Sequence, residues 1–308
     1  MKILVTGGAG FIGSHLVDRL VQEENEVVVV DNLSTGKKKN VNTRARFYKV
    51  DITSPRLERI FKKEKPELIS HHAAQMDVRK SVADPGFDAR VNILGLINLL
   101  ENAVKYGTRR VVFASSGGAI YGEQNFSPAT EEHPTQPLSP YGVSKRSSEH
   151  YLYYYHKVLG LESAILRYSN VYGPRQDPFG EAGVVAIFTK KMLQGDQPII
   201  NGNGMQTRDY LFVEDAVEAN MAVINGSVSD TFNVGTAVET SVNQLFRYLA
   251  EITGSQMKEL YGPEKKGEQI RSCLDFQKVH KRLEWEPKTP LMEGLKKTVE
   301  HFREALKK

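Results

Sequence analysis

Residues 2–13 read KILVTGGAGFIG, and residues 14–31 continue as SHLVDRLVQEENEVVVVD. A β-branched run leads into glycines at positions 7, 10 and 13, and an apolar 3.6-residue period follows. Glycine allows a tight turn and a close approach of the backbone to a pyrophosphate, and the next helix would offer free N–H groups to the phosphates. The stretch predicts a β-α-β unit with a dinucleotide-binding loop.

The second predicted strand ends on Asp31, which lies 18 residues after Gly13. A carboxylate at this position can bind both hydroxyls of a ribose and would repel a 2′-phosphate, so we expect NAD as the cofactor. Lys37 and Arg44 lie nearby and keep NADP as an alternative. A glycine turn that joins strand to helix without any ligand is the purely structural interpretation.

Short apolar runs alternate with stretches of helical spacing through residues 1–169. The predicted strands are Lys2–Thr6, Glu26–Asp31, Arg46–Val50, Glu67–Ala73, Arg109–Ser115 and Ser163–Ser169. The predicted helices are Gly13–Glu24, Pro55–Lys63, Asp88–Lys105 and Tyr141–Leu159. This alternation predicts an α/β fold in which a doubly wound parallel (Rossmann) sheet forms an NAD-binding domain over residues 1–169.

From residue 170 onward, glycine and proline interrupt the pattern. Helices are predicted at Val184–Leu193, Val213–Asn225, Val242–Ile252 and Leu291–Leu306. We expect a smaller α/β C-terminal lobe over residues 170–308 that binds the substrate. Thr231–Val234 is predicted to return to the main sheet as a strand.

The composition excludes several classes of protein. The 308 residues contain 41 basic and 37 acidic side chains, a net charge of +4, and one cysteine, Cys273. One thiol cannot form an internal disulfide, and the eight histidines lack metal-ligand spacing, so we expect no metal. No apolar run approaches the ~20 residues of a membrane span. We therefore expect a cytoplasmic protein without a membrane partner. We expect no nucleic-acid partner either, because the basic runs carry no interleaved aromatic residues.

Tyr141 and Lys145 are spaced to share one helix face directly after Pro140, which suits the first turn of a helix. We expect the ammonium of Lys145 to lower the pKa of the Tyr141 phenol, so that the phenol can accept a proton from an alcohol. The Y-x-x-x-K pattern is common on surface helices. It gains weight here because the glycine loop and Asp31 precede it.

Several further motifs occur in order along the chain. They are Asp31–Gly36 (DNLSTG), Asp51-Ile52, His72–Gln75 (HAAQ), Asn92-x-x-Gly95, Ser115–Gly122 (SSGGAIYG), Tyr141–Lys145 (YGVSK), Arg167–Arg175 (RYSNVYGPR), Arg208–Tyr210 (RDY) and Gly267-Glu268. With them the chain resembles the extended short-chain dehydrogenase/reductases, in particular the NAD-dependent epimerase/dehydratase family and its UDP-hexose 4-epimerases. The resemblance implies inversion at C4 of a UDP-hexose through a 4-keto intermediate, and a homodimer formed by two helices of each subunit.

The resemblance also implies site residues. The catalytic residues would be Tyr141, Lys145 and Ser116. The cofactor would contact Gly7, Gly10, Phe11, Ile12, Gly13, Asp31, Asn32, Ser34, Thr35, Gly36, Asp51, Ile52, Ala73, Ala74, Gln75, Asn92, Tyr141 and Lys145. The UDP-sugar would contact Ser116, Tyr141, Asn170, Arg208, Lys265 and Glu268.

The sequence leaves three questions open. Gly117 stands where the family carries a catalytic Ser or Thr, so Ser116, Ser115 or a water molecule could take that role. The small Ser272 leaves room for UDP-N-acetylglucosamine, and Arg271 could meet the carboxylate of UDP-glucuronate, whose epimerase or decarboxylase is an alternative. A non-catalytic NAD-binding module is the alternative from another class.

Overall fold

The computed structural model describes residues 1–179, 183–264 and 269–307. The first half contains β1 (Lys2–Thr6), α1 (Phe11–Gln22), β2 (Glu26–Asp31), β3 (Arg46–Lys49), α2 (Leu57–Glu64), β4 (Leu68–His71), α3 (Val78–Ala83), α4 (Pro85–Ala89), α5 (Gly95–Lys105), β5 (Arg110–Ser116), α6 (Gly117–Ile120), α7 (Pro140–Leu159) and β6 (Glu162–Tyr168). The second half contains β7 (Asn170–Tyr172), α8 (Val184–Gln194), β8 (Ile200–Asn201), β9 (Thr207–Phe212), α9 (Val213–Asn225), β10 (Thr231–Val234), β11 (Glu239–Ser241), α10 (Val242–Thr253), β12 (Tyr261–Gly262), β13 (Arg271–Ser272), α11 (Gln277–Leu283) and α12 (Leu291–Leu306).

The central sheet has seven parallel strands in the order β10-β6-β5-β4-β1-β2-β3. The order reverses direction at β1, as a doubly wound sheet requires. The predicted Rossmann fold is confirmed. The strand at 231–234 does return to this sheet, where Thr231 lies opposite Ile165 of β6.

Helices cover both faces of the sheet, because alternate residues of each strand point to opposite sides. On one face, Ile3 and Val5 pack in one apolar cluster with α1 and α9. On the other, Leu4 and Val28 pack in a cluster with α2, α5 and α7. Because α9 and β10 come from the second half of the chain, residues 213–234 complete the layers of the first, and a division at residue 169 remains a prediction.

The rest of the second half builds smaller sheets beside the main one. β9 is the centre of a four-stranded sheet with β11, β13 and β7, and β12 pairs with β8. Helices α8, α10 and α12 share a third apolar cluster with β9. This arrangement places β7 next to β9, so that Asn170 lies opposite Tyr210.

The stretch predicted as one helix over 88–105 is helical throughout, but the helix is not regular. The structure divides this stretch into α4, a π-helical turn over Arg90–Leu94, and α5. Within the turn, the Asn92 side chain bonds to Gln75, and the Asn92 carbonyl accepts a hydrogen bond from Ser148. These contacts accommodate the widened turn that a regular period does not reveal. No helix in the described ranges is long and apolar enough to cross a membrane.

Candidate active site

A cleft of about 510 Å³ opens at the carboxyl ends of the central strands and reaches β7 and β9. This is where ligands bind in open α/β sheets. The predicted site residues that line it are Gly7, Gly10, Phe11, Ile12, Gly13, Asp31, Asn32, Ser34, Thr35, Gly36, Asp51, Ile52, Ala73, Ala74, Gln75, Ser116, Tyr141, Lys145 and Asn170.

The glycine loop forms the floor of one end of the cleft. Gly7 has φ +69, and a Cβ there would lie 2.6 Å from the Ala73 backbone nitrogen. A Cβ at Gly13 would collide with the Gly7 carbonyl oxygen. Helix α1 begins at Phe11 without a side-chain cap, so its first N–H groups remain available to an anion. The loop fits a pyrophosphate.

Asp31 closes the same end of the cleft with a carboxylate that is 7% exposed. Its oxygens accept hydrogen bonds from the backbone N–H groups of Ala9 (3.0 Å) and Leu33 (2.7 Å). Lys37 is turned toward Asp177, with 3.8 Å between the charged atoms. The carboxylate therefore fits a ribose with free hydroxyls, and the residues present fit NAD.

A second carboxylate, Asp51, stands beside the predicted adenine end. The side-chain amide of Asn32 donates to it over 2.7 Å, and the Thr53 N–H and hydroxyl donate over 2.8 and 2.7 Å. Burial favours the neutral acid, but these hydrogen bonds outweigh it and lower the pKa of Asp51. The carboxylate is thereby fixed beside Ile52, which also lines the cleft.

Helix α7 brings Tyr141 and Lys145 into the middle of the cleft. It begins as predicted, with Pro140 in the first turn and Ser139 as N-cap, whose hydroxyl accepts the Gly142 N–H over 3.2 Å. Lys145 is 5% exposed, and its Nζ donates to the Ala114 carbonyl over 2.7 Å. The same nitrogen lies 5.8 Å from the centroid of the Tyr141 ring.

The prediction that Lys145 lowers the pKa of the Tyr141 phenol is wrong for the ligand-free protein, in which this pKa is raised. Burial, assisted by the negative charge of Asp88, raises the pKa of Tyr141, and only a hydrogen bond with Ser116 lowers it. Burial also lowers the pKa of Lys145 to about 8. Burial is the largest cause of both shifts, and the ammonium is bonded to a backbone carbonyl rather than to the phenol.

The last two residues of β5 and the first residue of α6 have different surroundings. Ser115 is 3% exposed and donates to Glu149 over 2.7 Å. Ser116 lines the cleft and bonds to Tyr141. A Cβ at Gly117 would lie 2.5 Å from Leu274 Cδ1, so that leucine fills the place that a water molecule was a candidate to occupy. Of the open alternatives, Ser116 is the hydroxyl that lowers the pKa of the Tyr141 phenol, and its catalytic role stays a prediction.

The residues predicted to bind the sugar are divided between the cleft and its surroundings. A Cβ on Gly118 would lie 3.7 Å from Asn170 Oδ1 and 3.8 Å from Ser272 Oγ, so both polar groups flank α6, which forms the catalytic turn of the candidate site. Arg208 lies on β9 and donates to the Thr207 carbonyl over 2.7 Å, and it does not line the cleft. Lys265 and Glu268 lie outside the described residues.

Asn92 also stands behind the cleft rather than in it. Its side chain is 4% exposed, accepts the Gln75 N–H over 2.8 Å and donates to the Gln75 carbonyl over 2.9 Å. Asn92 therefore holds the backbone of a cleft residue and is not one itself.

A buried ion pair that none of the motifs indicates lies below the site. Arg167 donates to Glu149 over 3.0 and 2.7 Å and to the Tyr121 hydroxyl over 2.8 Å. Tyr121 in turn donates to Asn233 of β10 over 2.7 Å. Two signals were present in the sequence: an arginine inside the apolar strand SAILRY, and a glutamate four residues after Lys145. The described part of the chain contains no cluster of three metal-ligating side chains.

Three comparisons relate the chain to known proteins. The family model of the NAD-dependent epimerase/dehydratase family matches residues 3–235. The UDP-glucose 4-epimerase of Mycolicibacterium smegmatis is 44% identical over 309 residues, covering 98% of this chain and 99% of that protein.

Two crystal structures are similar over the whole chain. One is a UDP-glucose 4-epimerase of Thermotoga maritima with UDP-glucose: identity 50%, TM-score 0.98, coverage 99% of this chain and 100% of the other. The second is the UDP-glucose 4-epimerase of Thermus thermophilus in complex with NAD: identity 44%, TM-score 0.94, with the same coverage. The fold and the glycine loop are consistent with these similarities. This chain belongs to the NAD-dependent epimerase/dehydratase family.

Proposed function

We propose that this protein is an NAD-dependent isomerase that interconverts UDP-glucose and UDP-galactose by inverting C4 through a 4-keto intermediate. The observation that carries the proposal is the meeting of Ser116, Tyr141 and Lys145 in a cleft that also contains the glycine loop and Asp31. The 44–50% identity to proteins named UDP-glucose 4-epimerases supports the choice of substrate.

The cofactor would be held along the full length of the cleft. The glycine loop and the start of α1 would bind the pyrophosphate, and Asp31 would bind a ribose. Asp51 and Ile52 would flank the adenine, and Lys145 would contact the nicotinamide ribose. When bound, NAD supplies a reversible hydride acceptor and a positive charge that favours phenolate.

Tyr141 would act as the acid and base at O4 of the sugar. In the ligand-free protein its raised pKa keeps the phenol protonated, so it is ready to return a proton to the 4-keto oxygen. Removal of the O4 proton requires phenolate, which the positive charge of bound NAD would favour. Ser116 bonds to the phenol and would orient O4 against it.

The sugar would lie between the catalytic turn and the second half of the chain. Asn170, beside Gly118, would contact the nucleotide sugar near its phosphate, and Arg208, Lys265 and Glu268 remain predicted contacts. Inversion requires the 4-keto sugar to present both faces to the same hydride.

A proton NMR time course tests the activity. Purified protein with bound NAD is given UDP-glucose, UDP-galactose, UDP-N-acetylglucosamine or UDP-glucuronate in separate tubes without an added hydride donor or acceptor. We expect the first two to reach one common equilibrium ratio, with no net consumption of NAD. If UDP-glucose and UDP-galactose stay unchanged while one of the other two sugars is converted, the proposal moves to that sugar. If all four substrates stay unchanged, the proposal is refuted.

We also propose that the protein acts in the cytoplasm, in galactose metabolism. We propose further that it forms a homodimer through helices of each subunit. Tyr151, Tyr154 and Val158 on α7 are 39%, 49% and 63% exposed, and Leu94 beside α5 is 57% exposed. Apolar side chains at such spacing favour burial against a second pair of helices. Sedimentation velocity should give twice the chain mass, and Tyr154→Glu should give the monomer.

A further inference from the structure

One buried carboxylate behind the cleft is assigned no role by the mechanism. Asp88 on α4 is 0% exposed and does not line the cleft. It accepts hydrogen bonds from the Ser144 hydroxyl (2.6 Å), Asn92 Nδ2 (3.0 Å) and Gln75 Nε2 (3.1 Å). Within the described ranges no ion pair joins it to a cation. Burial of an unpaired carboxylate is costly, so its position needs an explanation.

The three donors come from three segments that form the site. Gln75 belongs to the stretch that lines the cofactor side of the cleft, and Asn92 belongs to the π-helical turn. Ser144 is the residue before Lys145 on α7. Asp88 therefore links Gln75 on the cofactor side of the cleft, the cofactor wall, to α7, the helix that carries Tyr141.

Two carboxylates, Asp88 and Glu149, raise the pKa of Lys145 against the effect of its burial. His71 and His72 at the end of β4 are kept neutral, because burial lowers the pKa of both. Glu149 on α7 is paired with Arg167, with 2.7 Å between charged atoms. Asp88 acts on both members of the reactive pair, since its negative charge raises the pKa of Lys145 and of Tyr141.

We propose that Asp88 is a positioning residue for the proposed epimerisation: it fixes α7 against the cofactor wall through Ser144 and supplies the negative charge that keeps Lys145 an ammonium inside the protein. The inference rests on the proposed function for its kinetic meaning. Its electrostatic part concerns Lys145 alone and can be measured without turnover.

Asp88→Asn tests the charge. The amide matches the carboxylate in shape, and the Ser144 hydroxyl can reverse to accept from it, so the hydrogen bonds survive while the charge is lost. We expect both limbs of the pH profile of kcat/KM to move about one unit toward lower pH, because loss of the carboxylate lowers the pKa of both groups. Glu64→Gln is the control, since Glu64 is a buried carboxylate on α2 that bonds to Arg46 and Tyr48 away from the cleft.

A measurement without turnover keeps the two proposals apart. Competitive acetylation with trace acetic anhydride, quantified by mass spectrometry at Lys145, titrates this amine over pH 6–11. We expect its midpoint to fall by about one unit in Asp88→Asn and to stay in place in Glu64→Gln. An unmoved midpoint would overturn the inference about Asp88, whereas failure of the wild type to epimerise would overturn only the proposed reaction.

Ser144→Ala covers the case in which Asp88→Asn does not fold. It removes the link to α7 and leaves the charge, so kcat should fall about tenfold through misplacement of Tyr141 while the limbs of the profile stay in place. A kcat equal to that of the wild type would refute the positioning role.

Discussion

Two adjacent serines at the end of β5 should have opposite phenotypes when each is replaced by alanine. Ser116 bonds to the reacting phenol, whereas Ser115 donates to the buried carboxylate of Glu149 over 2.7 Å. Ser116→Ala removes a hydrogen bond from the group that exchanges protons with O4. Losing one such donor costs about 10²–10³ in kcat, and stability should barely change.

Ser115→Ala leaves one buried oxygen of Glu149 with fewer donors. A hydrogen bond to a charged group contributes about 1.5–3 kcal/mol, so the loss should appear in the free energy of unfolding. Glu149 keeps its two bonds to Arg167, so the charge stays paired and kcat should change by less than about threefold.

The assay couples formation of UDP-glucose from UDP-galactose to UDP-glucose dehydrogenase and is run beside urea unfolding of both variants. We expect a crossed pattern, with kcat lost in Ser116→Ala and stability lost in Ser115→Ala. Equal loss of rate in both, at equal stability, would contradict the assignment of the two hydroxyls.

Three further predictions concern the reactive pair and the cofactor. Tyr141→Phe should abolish epimerisation and retain bound NAD, which release and enzymatic assay of the nucleotide would check; measurable turnover would contradict the role of the phenol. Asp31→Ala should weaken NAD binding relative to NADP, because the carboxylate that repels a 2′-phosphate is gone; an unchanged ratio of the two Kd values in calorimetry would contradict this. Competitive acetylation of Lys145 in the ligand-free wild type should have its midpoint near pH 8, because burial lowers the pKa of this amine to about 8 and the ammonium loses its proton as the pH rises through that value; a midpoint at the usual lysine value of about 10.4 would contradict this.

Local pattern was enough for much of the fold. β1, β2, α9, β10 and α12 begin and end where the sequence predicts, because each strand is a short apolar run and each helix a stretch of helical spacing. The glycine loop and Asp31 were equally predictable, since the geometry of a β-α-β unit fixes their relation within about 30 residues.

The parts that could not be predicted depend on partners far along the chain. The π-helical turn depends on contacts of Asn92 with Gln75 and Ser148, 17 and 56 residues away. The raised pKa of Tyr141 depends on burial and on Asp88, and neither follows from the spacing of Tyr141 and Lys145. A motif predicts which residues meet, but the surrounding protein determines their protonation.

The absence of a hydroxyl at Gly117 also depends on a residue far along the chain. Leu274 comes from the second half of the chain and packs with Ile120, Tyr121 and Ala129 beneath the catalytic turn. A side chain at 117 would overlap it, and forcing extra atoms into a packed core costs about 1–3 kcal/mol. The hydroxyl at position 117 and the leucine at 274 are therefore alternatives for one space. In this chain the leucine fills that space, and the hydroxyl one residue earlier already meets the phenol.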